Sequence, residues 1–216
     1  MLGVAVGDAL GQPVEAFPPD RIRREFGEVR DFLPGDPRLP MPLGAGQWTD
    51  DTQMTLDIGR SILRCGKVDP EDIAREFVAY HQSGGIRFSG FAVTYALKLL
   101  RMGIPWDRSG LSDEMSAGNG AAMRIAPVAL LDCKDLQRLK EDSRLASIIT
   151  HRHPEAVAGA RAVAFLVARA ATGSLNLQSA IEETAQYVGP CSVAENLLRA
   201  RDLLRTARIR HQRLPS

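Results

Sequence analysis

Apolar residues recur along this chain at intervals of three and four and almost never at every second position, the pattern of amphipathic helices joined by Gly/Pro loops. Residues 51–64 are framed for a helix by Thr49, Asp50 and Asp51 ahead and by Cys65-Gly66 behind. Asp69-Pro70-Glu71-Asp72 marks another start, with a cap, a proline at the first position and acids in the first turn. Ile73, Phe77 and Tyr80 follow it at helical spacing. Over 155–172, Val157, Ala160, Val163, Ala164, Val167 and Ala171 make an Ala-rich stripe suited to close helix packing. Segments 90–102, 120–131, 177–188 and 193–209 read likewise. Residues 31–48 hold Pro34, Pro37, Pro40 and Pro42 with three glycines and predict a loop that delivers the chain to Thr49. With no repeat, low-complexity tract or strand alternation, the fold class is all-α.

Composition narrows the function classes. At 216 residues, 44% of them hydrophobic, the chain suits one domain with a sizeable core, taken as residues 1–216. A net charge of +1 with scattered Lys and Arg argues against a nucleic-acid partner. Cys65, Cys133 and Cys191 are odd in number, far apart and without metal-ligand spacing, which supports neither a disulfide framework nor zinc and fits a reducing cytoplasm. The start Met1–Asp8 lacks the basic opening of a leader and meets an acid early. The longest apolar stretch, Ala162–Ala168, lies between Arg161 and Arg169, far short of the roughly 20 residues a membrane span needs.

The chemistry concentrates at Gly46-Gln47-Trp48-Thr49-Asp50-Asp51-Thr52-Gln53-Met54-Thr55. A hydroxyl and two adjacent carboxylates at a helix start are hard oxygen ligands suited to Mg²⁺, and they fan out on one turn, so Asp50 and Asp51 could serve different cations. The competing reading is an N-cap, with acids favoured by the helix dipole. Trp48 either packs this loop or plugs the core. His151 and His153, two apart before Pro154, do not by themselves make a zinc site.

Four blocks then resemble the ADP-ribosylglycohydrolases, the family of dinitrogenase reductase-activating glycohydrolase and the J1 crystallins. They are Gly3–Glu15 with its Gly7-Asp8-Ala9-Leu10-Gly11, Gly46–Met54, Gly118-Asn119-Gly120-Ala121-Ala122-Met123-Arg124-Ile125-Ala126-Pro127, and Thr150-His151-Arg152-His153-Pro154. The resemblance implies a compact orthogonal helical bundle around a binuclear Mg²⁺ site that releases ADP-ribose from a modified protein side chain or small conjugate. It implies Thr49, Asp50 and Asp51 as metal ligands and Glu15 as the acid that activates or positions water. Gly118, Asn119, Gly120, Met123 and His151 would border the ADP-ribose. Ser89-Gly90-Phe91 resembles a family glycine turn near the diphosphate only loosely.

The resemblance stops before the C-terminus. Members carry a late Gly-Gly-Asp-Thr-Asp-Thr block that supplies the rest of the metal site, and no Asp-x-Asp-Thr occurs here. Glu182-Glu183-Thr184 is a poor imitation within an expected helix. Two Mg²⁺ bring +4 and Asp50 with Asp51 return only −2, so metal binding should be weak or limited to one ion. The Arg-rich end, Arg199–Ser216, reads as a chain that stops early, and apolar surface left uncovered would favour a homo-oligomer. Three expectations remain: a Mg²⁺-dependent ADP-ribosyl hydrolase, an impaired relative that still binds ADP-ribose, or a structural, crystallin-like protein.

Overall fold

The structure, a computed structural model, describes residues 1–38, 42–83 and 87–211, with side chains through residue 206. Pro40 of the proline-rich loop and the last five residues of the Arg-rich end lie outside these. Among the described residues the chain is helical without a strand. Its elements are α1 (Leu2–Gly11), α2 (Pro19–Glu25), α3 (Asp50–Cys65), α4 (Pro70–Gln82), α5 (Phe91–Arg101), α6 (Trp106–Ser109), α7 (Ala126–Leu131), α8 (Leu136–Ile148), α9 (Pro154–Ala171), α10 (Ala180–Val188) and α11 (Ser192–His211). No described helix is long and apolar enough to cross a membrane.

The helix ends follow from local chemistry. Thr49 caps α3 by accepting the Asp51 N–H, and Gly66 ends the helix in the left-handed region at φ 69°. Asp69 caps α4 through the Asp72 N–H, and Pro70 costs nothing at the first helical position because the first-turn N–H groups have no partner within the helix. The helix expected over 120–131 is corrected to α7, Ala126–Leu131. Pro127 belongs in a first turn, and the Gly-Asn-Gly stretch upstream is turned rather than helical. α8 was not expected from the pattern. Its start is capped by Asp135 accepting the Arg138 N–H, and only Leu139, Ser143, Ala146 and Ser147 of its thirteen residues are buried, too sparse a stripe to stand out.

The main core joins Met54 and Ile58 of α3, Ile73 and Phe77 of α4, Val93 and Leu97 of α5, Val128 of α7, and Leu139 of α8. Its floor is α9. Ala160, Ala164 and Ala168, all fully buried, run at i, i+4 and i+8, and their small side chains let neighbouring helices approach closely. The expected stripe is therefore shifted, because Val163 is 39% exposed and Ala171 faces solvent. Ala158 and Ala162, on another side of α9, pack in a satellite cluster with Val188 of α10 and Leu197 of α11.

A buried charge ties α3 to α4. Asp72 is ion-paired with Arg64 of α3 and, at 2.8 Å, with Arg75 of its own helix. The Arg64 hydrogen bond foremost, with Arg75 adding to it, holds the Asp72 carboxyl well below the usual carboxylate range.

Two outcomes follow. Ala164→Leu overpacks the α9 contact and should cost about 1–3 kcal/mol in urea unfolding. Because the folded pKa of Asp72 is depressed, its stabilisation is present above the ordinary aspartate pKa of about 4 and is lost as pH falls further. Asp72→Asn should therefore unfold more easily at neutral pH and show a shallower loss of stability on acidification; identical acid profiles would refute this.

Candidate active site

The cleft is built where α1 meets the first turn of α3. Asp8 of α1 reaches across to that turn: its Oδ2 accepts the Thr49 N–H at 2.9 Å, the Thr52 N–H at 3.1 Å and the Thr52 hydroxyl at 2.6 Å. Its Oδ1 accepts the Thr49 hydroxyl at 2.8 Å. Orphan N–H groups at a helix start must find acceptors, and here an acid 41–44 residues away supplies one. Thr49 Oγ1 also lies 3.1 Å from Asp51 Oδ2, but its single proton can serve only one carboxylate at a time. The N-cap and ligand readings of Thr49 are thus compatible, since an oxygen lone pair remains.

Four carboxylates share this corner. Asp50 is 4% exposed, and its N–H donates to the Arg87 carbonyl at 3.1 Å. Burial first and then the Asp51 charge push its carboxyl up to about 7. Burial and Asp8 raise Asp51. Glu15 stands at the exposed rim, where partial desolvation by the cleft wall, then Asp51 and Asp8, raises it too. Such crowding without a cation is costly, and it is the electrostatic setting in which a divalent ion binds. No three acid, histidine or cysteine side chains among the described residues converge tightly enough to cage one metal ion. The donor set fits an open, partly hydrated Mg²⁺ site rather than a closed one.

The other wall of this cleft, about 450 Å³ in volume, brings together Gly118, Asn119, Gly120, Met123 and His151 with Glu15 and the Thr49-Asp50-Asp51 turn. The residues that the resemblance assigns to the metal, the water and the ADP-ribose therefore line one space. Gly118 and Asn119 are exposed, and the Met123 N–H donates to the Asn119 carbonyl at 3.0 Å, closing the turn. Gly120 is buried against the His151 ring, where an added Cβ would stand 2.5 Å from Cε1, closer than side chains tolerate. Gly90 caps α5 and lines the cleft beside Phe91, which is 56% exposed. Phe88, also on the lining, holds a left-handed φ of 58°, which is strained for a bulky residue.

Other candidates lie elsewhere. His153 caps α9 by accepting the Glu155 N–H at 3.3 Å. Trp48 plugs no core; it is 41% exposed, with the Arg87 guanidinium 5.9 Å from its ring. Glu182 pairs with Arg205 at 2.8 Å, away from the cleft lining. Asp8 and Phe88, which line the cleft, and Arg124, buried behind it, were not singled out in the sequence as site residues. Asp8 had a sequence signal, an acid set in an apolar helical segment between glycines, but its partners are too distant in the chain for any local rule.

A family profile for ADP-ribosylglycohydrolase matches residues 1–215, and the chain belongs to that family. A protein of Archaeoglobus fulgidus whose name assigns no activity is 39% identical, over 78% of this chain and 53% of its own length. The ADP-ribosyl-[dinitrogen reductase] glycohydrolase of Rhodospirillum rubrum is 35% identical, over 71% of this chain and 50% of its own. A solved structure described as an ADP-ribosylglycohydrolase-related protein complex superposes with a TM-score of 0.66 at 33% identity, covering 86% of this chain and 58% of that one. This chain spans about half the length of the curated relatives it matches.

Asp8→Ala removes four hydrogen bonds, only the Thr49 hydroxyl having a second acceptor in Asp51, and should lower stability by roughly 2–4 kcal/mol in chemical unfolding. Asp8→Asn, which keeps one acceptor oxygen, should fall between it and the parent. Equal stability of all three would show that the α1–α3 link contributes nothing.

Proposed function

We propose that this chain forms the substrate cleft of a Mg²⁺-dependent ADP-ribosyl hydrolase that releases ADP-ribose from a modified protein side chain. The observation that carries the reading is the cluster of acids with raised pKa values across one cleft from the glycine turn and His151. Family membership supports it, as does the activity named for the Rhodospirillum relative.

Thr49, Asp50 and Asp51 would hold the metal. Mg²⁺, when bound, supplies positive charge that offsets these acids and polarises ribose oxygens. Glu15, at the rim, orients a water and takes its proton as the water oxygen bonds to the anomeric carbon and the bond to the leaving side chain breaks; that proton then passes from Glu15 to the leaving atom, which restores the carboxylate. Such a base contributes about 10²–10⁴-fold. Gly118 and Gly120 let ligand oxygens approach the backbone closely, as side chains would not. Phe91, stacked on Tyr95 at a centroid distance of 5.8 Å, offers an apolar face to a nucleobase.

The open metal corner favours a second reading, ADP-ribose binding without turnover. Calorimetric titration of ADP-ribose with Mg²⁺ and with chelator separates the two from a purely structural role. Saturable binding should need Mg²⁺ and weaken by at least about ten-fold in Asp50→Ala and Asp51→Ala, with the fold retained. Hydrolysis of an ADP-ribosylated protein then distinguishes enzyme from binder. Full Mg²⁺-dependent behaviour in either variant would end the assignment of that turn.

A further inference from the structure

Arg124 is the largest fully buried side chain among the described residues. Its guanidinium lies 4.7 Å from the centroid of the Phe77 ring, one amino group donates to the Ala146 carbonyl at 3.2 Å and the Thr150 hydroxyl at 2.7 Å, and the other faces Met54 Sδ at 3.6 Å. No carboxylate is among these partners.

The Thr150 oxygen, also fully buried, sits 2.7 Å from His151 Nδ1. The proton arrangement there is constrained. Arginine only donates, and a hydroxyl carries one proton and two acceptor sites. If Nδ1 carried the ring proton, Thr150 would receive two donors and its own proton would have no acceptor among the described residues. An unmatched buried polar group costs roughly 1–3 kcal/mol. With Thr150 donating to Nδ1, the hydroxyl and Nδ1 are both matched, the Arg124 Nε–H having no partner in either arrangement, and a neutral ring must then hold its proton on Nε2. Desolvation, followed by the Arg124 charge, keeps the ring from becoming imidazolium, its pKa pushed down to about 3.

The rest of the local structure aims that proton. The Leu111 N–H donates to the Thr150 carbonyl at 3.2 Å and the Arg152 N–H to the Leu111 carbonyl at 2.6 Å, pinning the backbone on both sides of His151. Gly120 leaves the Nε2 edge free, since a Cβ there would lie 2.8 Å from Nε2. That edge borders the cleft.

We propose that Arg124 and Thr150 are positioning residues that hold His151 as its Nε2–H tautomer, giving the cleft one fixed hydrogen-bond donor for an oxygen acceptor of the ligand. Under the ADP-ribosyl hydrolase reading, on which only the acceptor's identity rests, that acceptor is a phosphate or ribose oxygen. The same arrangement rejects a ligand that can offer only a donor at this point, because two donors would face each other.

The test is NMR of the ligand-free full chain carrying isotope-labelled histidine, with His151→Gln used to assign the ring signals. At neutral pH the parent should show a single His151 tautomer protonated on Nε2. Thr150→Val, which keeps the shape and removes the hydroxyl, should lose that single tautomer and bind ADP-ribose roughly five- to ten-fold more weakly. Thr150→Ser should restore both. A parent proton on Nδ1, or a Thr150→Val spectrum identical to the parent's, would overturn the proposal, as would a changed tautomer with unchanged affinity. Should Thr150→Val fail to fold, the parent spectrum alone decides. The tautomer is read without ligand, so a failure of ADP-ribose to bind any variant would sink the functional reading and leave the tautomer to be judged on its own signal.

Discussion

The site depends on one carboxylate placed where two helices cross. Asp8 accepts from the backbone and hydroxyls of Thr49 and Thr52 from outside α3, and so it fixes how Thr49, Asp50 and Asp51 are presented. A cap taken from its own chain segment would leave the α3 start free to swing relative to α1. A cap taken from α1 makes the position of the acids and the position of Glu15, just beyond α1, parts of one arrangement. The electrostatic consequence is that Asp8 also adds to the negative field that raises Asp51 and Glu15. Geometry and repulsion come from the same group.

Buried charge in this protein follows two different rules. Between α3 and α4, Asp72 is paired with arginines and held ionised. Around the cleft, among the described residues, acids are left unpaired by arginine or lysine, and Arg124 is left without a carboxylate contact, its pKa brought down to about 9 by burial and only partly sustained by Asp50. Pairing these opposite charges directly would have cancelled the cleft acids' charge without a sure gain in stability, because a buried ion pair loses in desolvation much of what it gains in attraction. Phe77, a carbonyl and a hydroxyl hold the arginine instead, which leaves the charge of Asp50 and Asp51 uncompensated by it.

Much of this was legible in the chain, and the failures have physical causes. The ends of α3 and α4 were readable because caps, first-turn prolines and terminal glycines act over a few residues. The family blocks named residues that the fold brings to one cleft, although no local rule connects Glu15 to His151. The register of the α9 stripe was misjudged because alanine and valine alike satisfy a helical period, and only packing decides that Ala168 is inside and Val163 outside. α7 was drawn too long because Met123 and Ile125 keep an apolar rhythm through a segment that Gly118, Gly120 and Pro127 turn. The roles of Asp8 and Arg124 were invisible, since each is defined by partners from distant elements rather than by neighbours in sequence.

α1 bears a further consequence. None of its residues belongs to either apolar cluster, and Leu2 and Val6 stand 84% and 46% exposed. Its attachment to α3 is thus carried heavily by hydrogen bonds that close a span of more than forty residues, a closure with a conformational entropy cost. An element with so few apolar contacts is of the kind that opens locally before a core packed as tightly as that around Phe77, Leu139 and Ala164. Amide exchange at the start of α3 reports that opening, and anything bridging Glu15 to the α3 acids closes the latch.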